Sequence, residues 1–130
     1  IQFLKGRGLA QTEFAKRLEP EIKIFRFEKS AEDFSLLSDE HKAEEKQNIR
    51  NGINFARKIF NTGECSLLIL DEVLNLIDNE IITVEELKTL LAGKPEEMEI
   101  IMTGVTVNDE VCALADNVTK VETMHYKIWE

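Results

Sequence analysis

The residues best suited to chemistry are two adjacent carboxylates that follow an apolar run. Residues Ser66 to Asp71 are typical of a strand, and Asp71 and Glu72 stand at its carboxyl end. Open parallel α/β sheets bind ligands at this edge. In phosphate-binding enzymes such acids hold Mg²⁺, which in turn bridges phosphate oxygens. The pattern predicts a metal and phosphate site, although an acid here is also typical of a simple helix cap or turn, and the residues alone leave both interpretations open.

The strands that must position this pair are predicted from short runs of apolar and β-favouring residues. Each run precedes a stretch with helical spacing, which is typical of an open, mostly parallel α/β sheet. The continuous run Leu67–Leu70 predicts a buried central strand, whereas the alternation in Ile22–Phe27 favours a place near the sheet edge. The predicted strands are Ile1–Leu4, Ile22–Phe27, Ser66–Asp71, Glu99–Thr103 and Val118–Met124.

The helices are predicted from apolar spacing and from capping residues. Ile49, Ile53, Ala56 and Phe60 recur at three- and four-residue steps, which predicts one long amphipathic helix. A Thr-Val-Glu-Glu sequence is typical of a capping box at the start of a second helix. The predicted helices are Ser38–Phe60, Thr83–Gly93, a short one from Thr106 or Asn108 to Ala115, and Leu9–Leu18.

Composition limits the classes of protein that fit. The chain has 130 residues, 43% of them hydrophobic and 32% charged, and we predict a single domain over residues 1–130. Its net charge of -9 argues against nucleic acid as a partner. No apolar run approaches the roughly 18 to 20 residues of a membrane span, and no signal segment opens the chain, so we expect a cytoplasmic protein. Cys65 and Cys112 lack zinc-site spacing.

Four short motifs occur in a fixed order along the chain. They are QFLKG at Gln2–Gly6, LDE at Leu70–Glu72, IMTG at Ile101–Gly104 and LADNVT at Leu114–Thr119. Each fragment is short, but the ordered set covers nearly the whole chain and resembles the P-loop type of ATP:corrinoid adenosyltransferase.

The resemblance implies a fold and a reaction. The fold is a three-layer α/β architecture with a mostly parallel sheet, of the P-loop nucleotide-binding (RecA-like) kind, here with its first βα unit missing. The reaction transfers the 5′-deoxyadenosyl group from ATP to Co(I) of a corrinoid and releases triphosphate, in the biosynthesis or salvage of the vitamin B12 coenzyme. The implied substrates are ATP and a corrinoid, cobalamin or a precursor, with Mg²⁺ or Mn²⁺. A homodimer and a flavin-type reductant protein are the implied partners.

The resemblance also implies site residues, each with a plainer alternative. Lys5 is equally typical of a solvated strand end, Phe34 of core packing and His125 of an ordinary surface position. The implied nucleotide-binding residues are Lys5, Gly6, Asp71, Glu72, Thr103 and Gly104; Glu72 and Asp71 are the implied metal ligands, and Phe34, Leu36 and His125 the implied corrinoid-binding residues.

The sequence departs from the family pattern at positions that bear on activity. No Gly-x-x-x-x-Gly-Lys-Ser/Thr loop occurs in these residues. Val105 replaces an arginine, Met124 replaces a lysine, and the polar residue expected at Leu74 is displaced to Asn75.

Three interpretations of these departures stay open. The start at Ile1 rather than Met favours a piece of a longer protein whose preceding part carries the phosphate loop. The changes at Val105 and Met124 favour an inactive paralogue that acts as a corrinoid- or nucleotide-binding or interaction module. A nucleotide hydrolase of the same architecture would need a further acid near the carboxylate pair, for which Asp78 is the candidate.

Overall fold

The computed structural model describes residues 1–4, 14 and 16–125, and it is an α/β structure with parallel strand pairing. Lys5 and Gly6 lie outside the described residues, as does most of the predicted helix Leu9–Leu18. Two 3₁₀ turns cover Lys16–Leu18 and Phe34–Leu36. The regular elements are α1 (Asp39–Thr62), β1 (Leu67–Leu70), α2 (Val73–Asp78), α3 (Val84–Ala92), β2 (Glu99–Met102) and α4 (Asp109–Cys112).

The sheet is built from β1 and β2 and is extended by single bridges. Leu67 lies opposite Glu99 and Leu70 opposite Met102 in the parallel pair. Gln2 forms isolated parallel bridges with both Asp71 and Arg26, so residues 1–4, the N-terminal segment, lie between β1 and the stretch around Arg26. The central place of β1 is therefore confirmed. The predicted strand Ile22–Phe27 takes the outer place but is reduced to the bridge at Arg26.

The core lies on one face of β1. Leu68 and Leu70 are buried, whereas Leu67 and Ile69 remain 43% and 44% exposed, so the expectation of a strand buried on both faces is wrong. α1 covers the buried face, and its predicted apolar positions are buried as expected. At Gly52 a β-carbon would stand 3.0 Å from Cε1 of Phe3 and 3.1 Å from Cδ2 of Phe27. The small residue therefore allows α1 to approach the N-terminal segment closely.

The predicted helix starts are confirmed by their caps. Ser38 Oγ accepts a hydrogen bond from His41 N at the start of α1. Thr83 Oγ1 accepts from Glu86 N, while Thr83 N donates to Glu86 Oε2, which completes the capping box of α3. Asn108 Oδ1 accepts from Val111 N at 3.1 Å, so Asn108 rather than Thr106 caps α4.

The predicted strand Val118–Met124 is wrong. Residues 117–125 contain no strand, and Val118 and Val121 are 58% and 91% exposed. A strand is stabilised by a hydrogen-bonded neighbour, and this stretch pairs with none of the residues that the structure describes. No helix within the described ranges is long and apolar enough to cross a membrane.

Candidate functional site

Four of the predicted site residues meet at the carboxyl edge of the β1–β2 pair. Thr103 Oγ1 donates a hydrogen bond to Asp71 Oδ1 at 2.8 Å and accepts one from Glu72 N at 2.8 Å. Thr103 N donates to Leu70 O, which fixes the end of β2 against the end of β1. We call Asp71, Glu72, Thr103 and Gly104 the carboxylate site. One hydroxyl thus joins both acids across the two strands.

Glu72 occupies a backbone conformation that is costly for a residue with a side chain. Its φ of 65° and ψ of 18° are left-handed, and it caps the N-terminus of α2 directly after Asp71. This conformation costs roughly 1–2 kcal/mol in a non-glycine residue. The bond from Glu72 N to Thr103 Oγ1 helps to offset that cost. The turn directs the chain from β1 into α2 within two residues, Asp71 and Glu72.

Gly104 makes the closest approach in the site. A β-carbon at this position would lie 2.4 Å from Cβ of Leu74 in α2, and real β-carbons do not come so near. Leu74 N also donates to Thr103 O at 3.2 Å. The glycine of the IMTG motif is therefore required by packing against α2, and Leu74, at the position expected to be polar, supplies the apolar surface.

Asn75 is a site residue whose role the sequence analysis missed. Its Nδ2 donates to Glu72 Oε2, and its Oδ1 accepts from Val105 N at 3.1 Å. The displaced polar residue after the LDE motif was visible in the sequence, but its partner at Val105 lies 30 positions away. A contact over that distance leaves no local pattern.

The oxygen donors of the carboxylate site suit a hard cation. Two carboxylates and a hydroxyl are the ligand types that Mg²⁺ and Mn²⁺ prefer. Across the residues that the structure describes, no three His, Cys, Asp or Glu side chains form a metal-binding group. Mg²⁺ in phosphate-binding enzymes is commonly held by one or two carboxylates together with substrate phosphates. The pair Asp71 and Glu72 fits that arrangement, in which the ligand supplies the remaining oxygens.

The residues predicted to bind a corrinoid lie in other segments. Phe34 starts a 3₁₀ turn and packs against the core, with Lys42 Nζ 5.8 Å from its ring centroid. Leu36 is 73% exposed on the same turn, and His125 is exposed in the irregular stretch after α4. The hydrogen bonds described above for the carboxylate site involve none of these three side chains. Phe34 thus packs against the core, whereas Leu36 is an exposed apolar side chain.

Asp78, the acid considered for a hydrolase, does not join the site. It is the exposed last residue of α2, whereas Glu72 caps the opposite end of that helix. Six residues of helix correspond to about 9 Å along the axis. The hydrolase interpretation therefore loses its candidate acid.

A second acidic group lies where the N-terminal segment ends. Glu28 Oε1 accepts from Leu4 N at 2.8 Å, and Arg26 Nε lies 4.0 Å from Glu28 Oε2. Leu4 itself has a positive φ of 51°. Glu45 is buried nearby and accepts from Lys29 N. Glu28 follows a predicted strand just as Asp71 does, so the same pattern could have indicated it.

Burial gives Glu28 a pH-dependent effect on stability. Desolvation raises the pKa of Glu28, the Leu4 hydrogen bond and Arg26 oppose the rise, and Glu45 adds to it. Because the folded state binds this proton more tightly than the unfolded state, Glu28 lowers stability as pH rises from its ordinary pKa of 4.5 through the raised folded pKa.

We therefore expect the unfolding free energy of Glu28→Gln to decrease less, or increase more, than that of wild type as pH rises above about 4.5. Urea unfolding at several pH values measures this slope, with the exposed Glu44→Gln as the control. A slope equal in Glu28→Gln and wild type would contradict the assignment.

The fold and the site define an α/β protein that presents a carboxylate pair, suited to a metal and a phosphate ligand, at the edge of a parallel sheet. Residues 1–129 match the family model described as ATP:corrinoid adenosyltransferase BtuR/CobO/CobP. The chain belongs to this family, and the resemblance inferred from its motifs is confirmed.

The other comparisons add a partial relative. Over 75 residues the chain is 29% identical to the uncharacterized protein all2391 of Nostoc sp. (strain PCC 7120), a match that covers 58% of this chain and 20% of that protein. The chain thus spans about a fifth of the length of this relative. No solved structure matches this chain.

Proposed function

We propose that this protein takes part in transfer of the 5′-deoxyadenosyl group from ATP to Co(I) of a corrinoid. The observation that carries the proposal is the family match over residues 1–129, which includes every residue of the carboxylate site. The proposal extends to the three-layer P-loop architecture, to a cytoplasmic homodimer and to a flavin-type protein as the source of electrons. It assigns Mg²⁺ or Mn²⁺ to Asp71 and Glu72.

The reaction sets the tasks of the site. The cobalt electron pair forms the bond to C5′, the bond from C5′ to oxygen breaks, and triphosphate leaves with that electron pair. Negative charge therefore grows on the leaving group, and a bound divalent cation supplies countercharge there. Asp71 and Glu72 alone would repel triphosphate, so their part in the proposal is to hold that cation.

The remaining residues of the carboxylate site orient the two acids. Thr103 holds Asp71 Oδ1 and Glu72 N on one hydroxyl, which fixes the Asp71 carboxylate relative to the backbone of Glu72. Gly104 lets the chain after β2 lie against α2 without displacing that hydroxyl. Leu36 contributes an exposed apolar surface that would limit access of water to the reduced cobalt. Fixed groups reduce the reorganisation needed when charge develops.

An anaerobic assay with Co(I) corrinoid and ATP tests the proposal. The expected result is a light-sensitive adenosylated corrinoid together with one triphosphate per product. Absence of product from folded protein, under conditions where an active family member gives product, would overturn it. Calorimetry with ATP and with corrinoid then tests the alternative function.

The alternative is a binding module without turnover, and Val105 favours it. In the family pattern an arginine stands at this position, and here an uncharged side chain is 80% exposed directly after Gly104. A cation that would stabilise leaving triphosphate is thus replaced. Heat from ATP or corrinoid without product supports this second function, and no heat from either ligand contradicts it.

Because residue 105 is exposed, a positive charge can be restored there and its effect on triphosphate binding measured. We expect Val105→Arg to tighten binding of triphosphate by about three- to tenfold, the effect of one or two charge-assisted hydrogen bonds at an exposed site. Calorimetric titration with tripolyphosphate in the presence of Mg²⁺ measures the change. Val107→Arg, also at an exposed valine of the same stretch, is the control for nonspecific charge. An equal gain from both variants would contradict a specific role for position 105.

A further inference from the structure

We propose that Asn75 is a positioning residue that fastens the Glu72 carboxylate to the loop Thr103–Val105. The inference rests on the proposed function for its importance to the reaction. Its geometry stands on two hydrogen bonds of one side-chain amide, described above, which reach Glu72 of the carboxylate site and Val105 directly after Gly104.

The orientation of the amide is determined by its partners. Val105 N is a donor, so the oxygen Oδ1 must face it. The nitrogen Nδ2 then faces Glu72 Oε2, which is an acceptor when the carboxylate is ionised. No other orientation satisfies both groups, and an aspartate, a leucine or a serine could not make both bonds.

The backbone of Asn75 explains why its side chain can act as a brace. It occupies the third position of α2, whose first residue follows the cap Glu72. The backbone carbonyl of Asn75 accepts hydrogen bonds from Asn79 N and from Asn79 Nδ2. These bonds also stabilise the helical turn between Asn75 and Asn79. Residues three apart on a helix are neighbours, which places the amide beside the Glu72 carboxylate.

The consequence is that two parts of the site move together. Glu72 belongs to the β1 side and Val105 to the β2 side, and Thr103 joins the same sides through the backbone of Glu72 and the carboxylate of Asp71. Asn75 adds the connection that Thr103 lacks, from the Glu72 side chain to the backbone of Val105. Glu72 and the side chain at position 105 are thereby presented to one ligand in fixed relation.

Two substitutions distinguish the hydrogen bond to Glu72 from the hydrogen bond to Val105. Asn75→Leu removes both hydrogen bonds, whereas Asn75→Asp keeps an acceptor for Val105 N but cannot donate to Glu72 and places a like charge beside it. Asn79→Ala is the matched control, because it removes the side-chain hydrogen bond of the C-cap residue, keeps the backbone bond from Asn79 N to Asn75 O and touches neither Glu72 nor Val105.

Two NMR measurements on the whole protein test whether Asn75 connects the Glu72 carboxylate to Val105 N. We expect the Val105 amide to exchange about tenfold faster in Asn75→Leu, as for loss of one hydrogen bond, and to stay within about threefold of wild type in Asn75→Asp. The carboxyl carbon resonance of Glu72 should shift in both variants. Neither should change in Asn79→Ala at matched fraction folded.

The outcomes distinguish positioning from general stability. Exchange at Val105 that is equal in wild type and Asn75→Leu overturns the proposal. The proposal is also overturned if Asn79→Ala, compared at equal melting temperature, changes Val105 exchange and the Glu72 resonance as much as the Asn75 variants do. Neither measurement needs ATP, corrinoid or turnover, so a negative adenosyl-transfer assay and a failure of this inference are separate results.

Discussion

Gly104→Ala is expected to lower the unfolding free energy by about 2–3 kcal/mol, the range of an overpacked interior position. The new β-carbon would stand 2.4 Å from Cβ of Leu74, and neither atom can rotate away because each is fixed to its backbone. The structure can relieve this clash only by moving the loop after β2 away from α2. Thr103 would move with it, so the hydroxyl that joins Asp71 and Glu72 would be displaced.

Urea unfolding of wild type and variant measures this effect. The control is Gly93→Ala, because Gly93 has an ordinary φ of -86° and a β-carbon there would lie 3.5 Å from Leu90 O. That control should be neutral or stabilising by about 0.4–1 kcal/mol. Equal effects of the two substitutions would show that the loop accommodates the methyl group and that close packing on Leu74 is dispensable.

The second large effect is expected for Thr103→Val. Valine keeps the shape of threonine but leaves Asp71 Oδ1 and Glu72 N without this shared hydroxyl. We expect a stability loss of about 1–3 kcal/mol from the unsatisfied groups. For the proposed adenosyl transfer we also expect a loss of about 100-fold in kcat/KM, a cost that a misplacement of about 1 Å can produce.

Thr103→Ser is the matched control, because it keeps the hydroxyl and removes only a methyl group. Its activity should remain within about threefold of wild type, since both hydrogen bonds to the hydroxyl can still form. Retained activity in Thr103→Val, or an equal loss in Thr103→Ser, would argue that the hydroxyl does not organise the two acids.

The part of the site that lies along one strand was predictable from sequence. Leu67–Leu70 is a local apolar run, and the acids that follow it need no further information to be placed at a carboxyl edge. Thr103 and Gly104 came instead from the resemblance of the IMTG motif to the family pattern. The helix caps at Ser38 and Thr83 were equally predictable, because the capping partners lie three residues away in the sequence.

The parts that failed depend on partners far away in sequence. The stretch Val118–Met124 has strand-like composition, but composition does not supply a neighbouring strand. The exposure of Leu67 and Ile69 could not be predicted from their apolar type, because burial depends on what covers that face of the sheet. The brace at Asn75 was missed for the same reason, since its partner Val105 belongs to another loop.

The central place of the N-terminal segment has a consequence for the order of folding. Its Ile1 nitrogen donates to Ile69 O across 68 positions. The entropic cost of closing a loop rises with its length, by about 0.6 kcal/mol for each doubling, and contacts between distant residues form later. The β1–β2 pair joins strands about half as far apart, with Thr103 and Asp71 separated by 32 positions. We therefore expect the β1–β2 pair to form before residues 1–4 join β1.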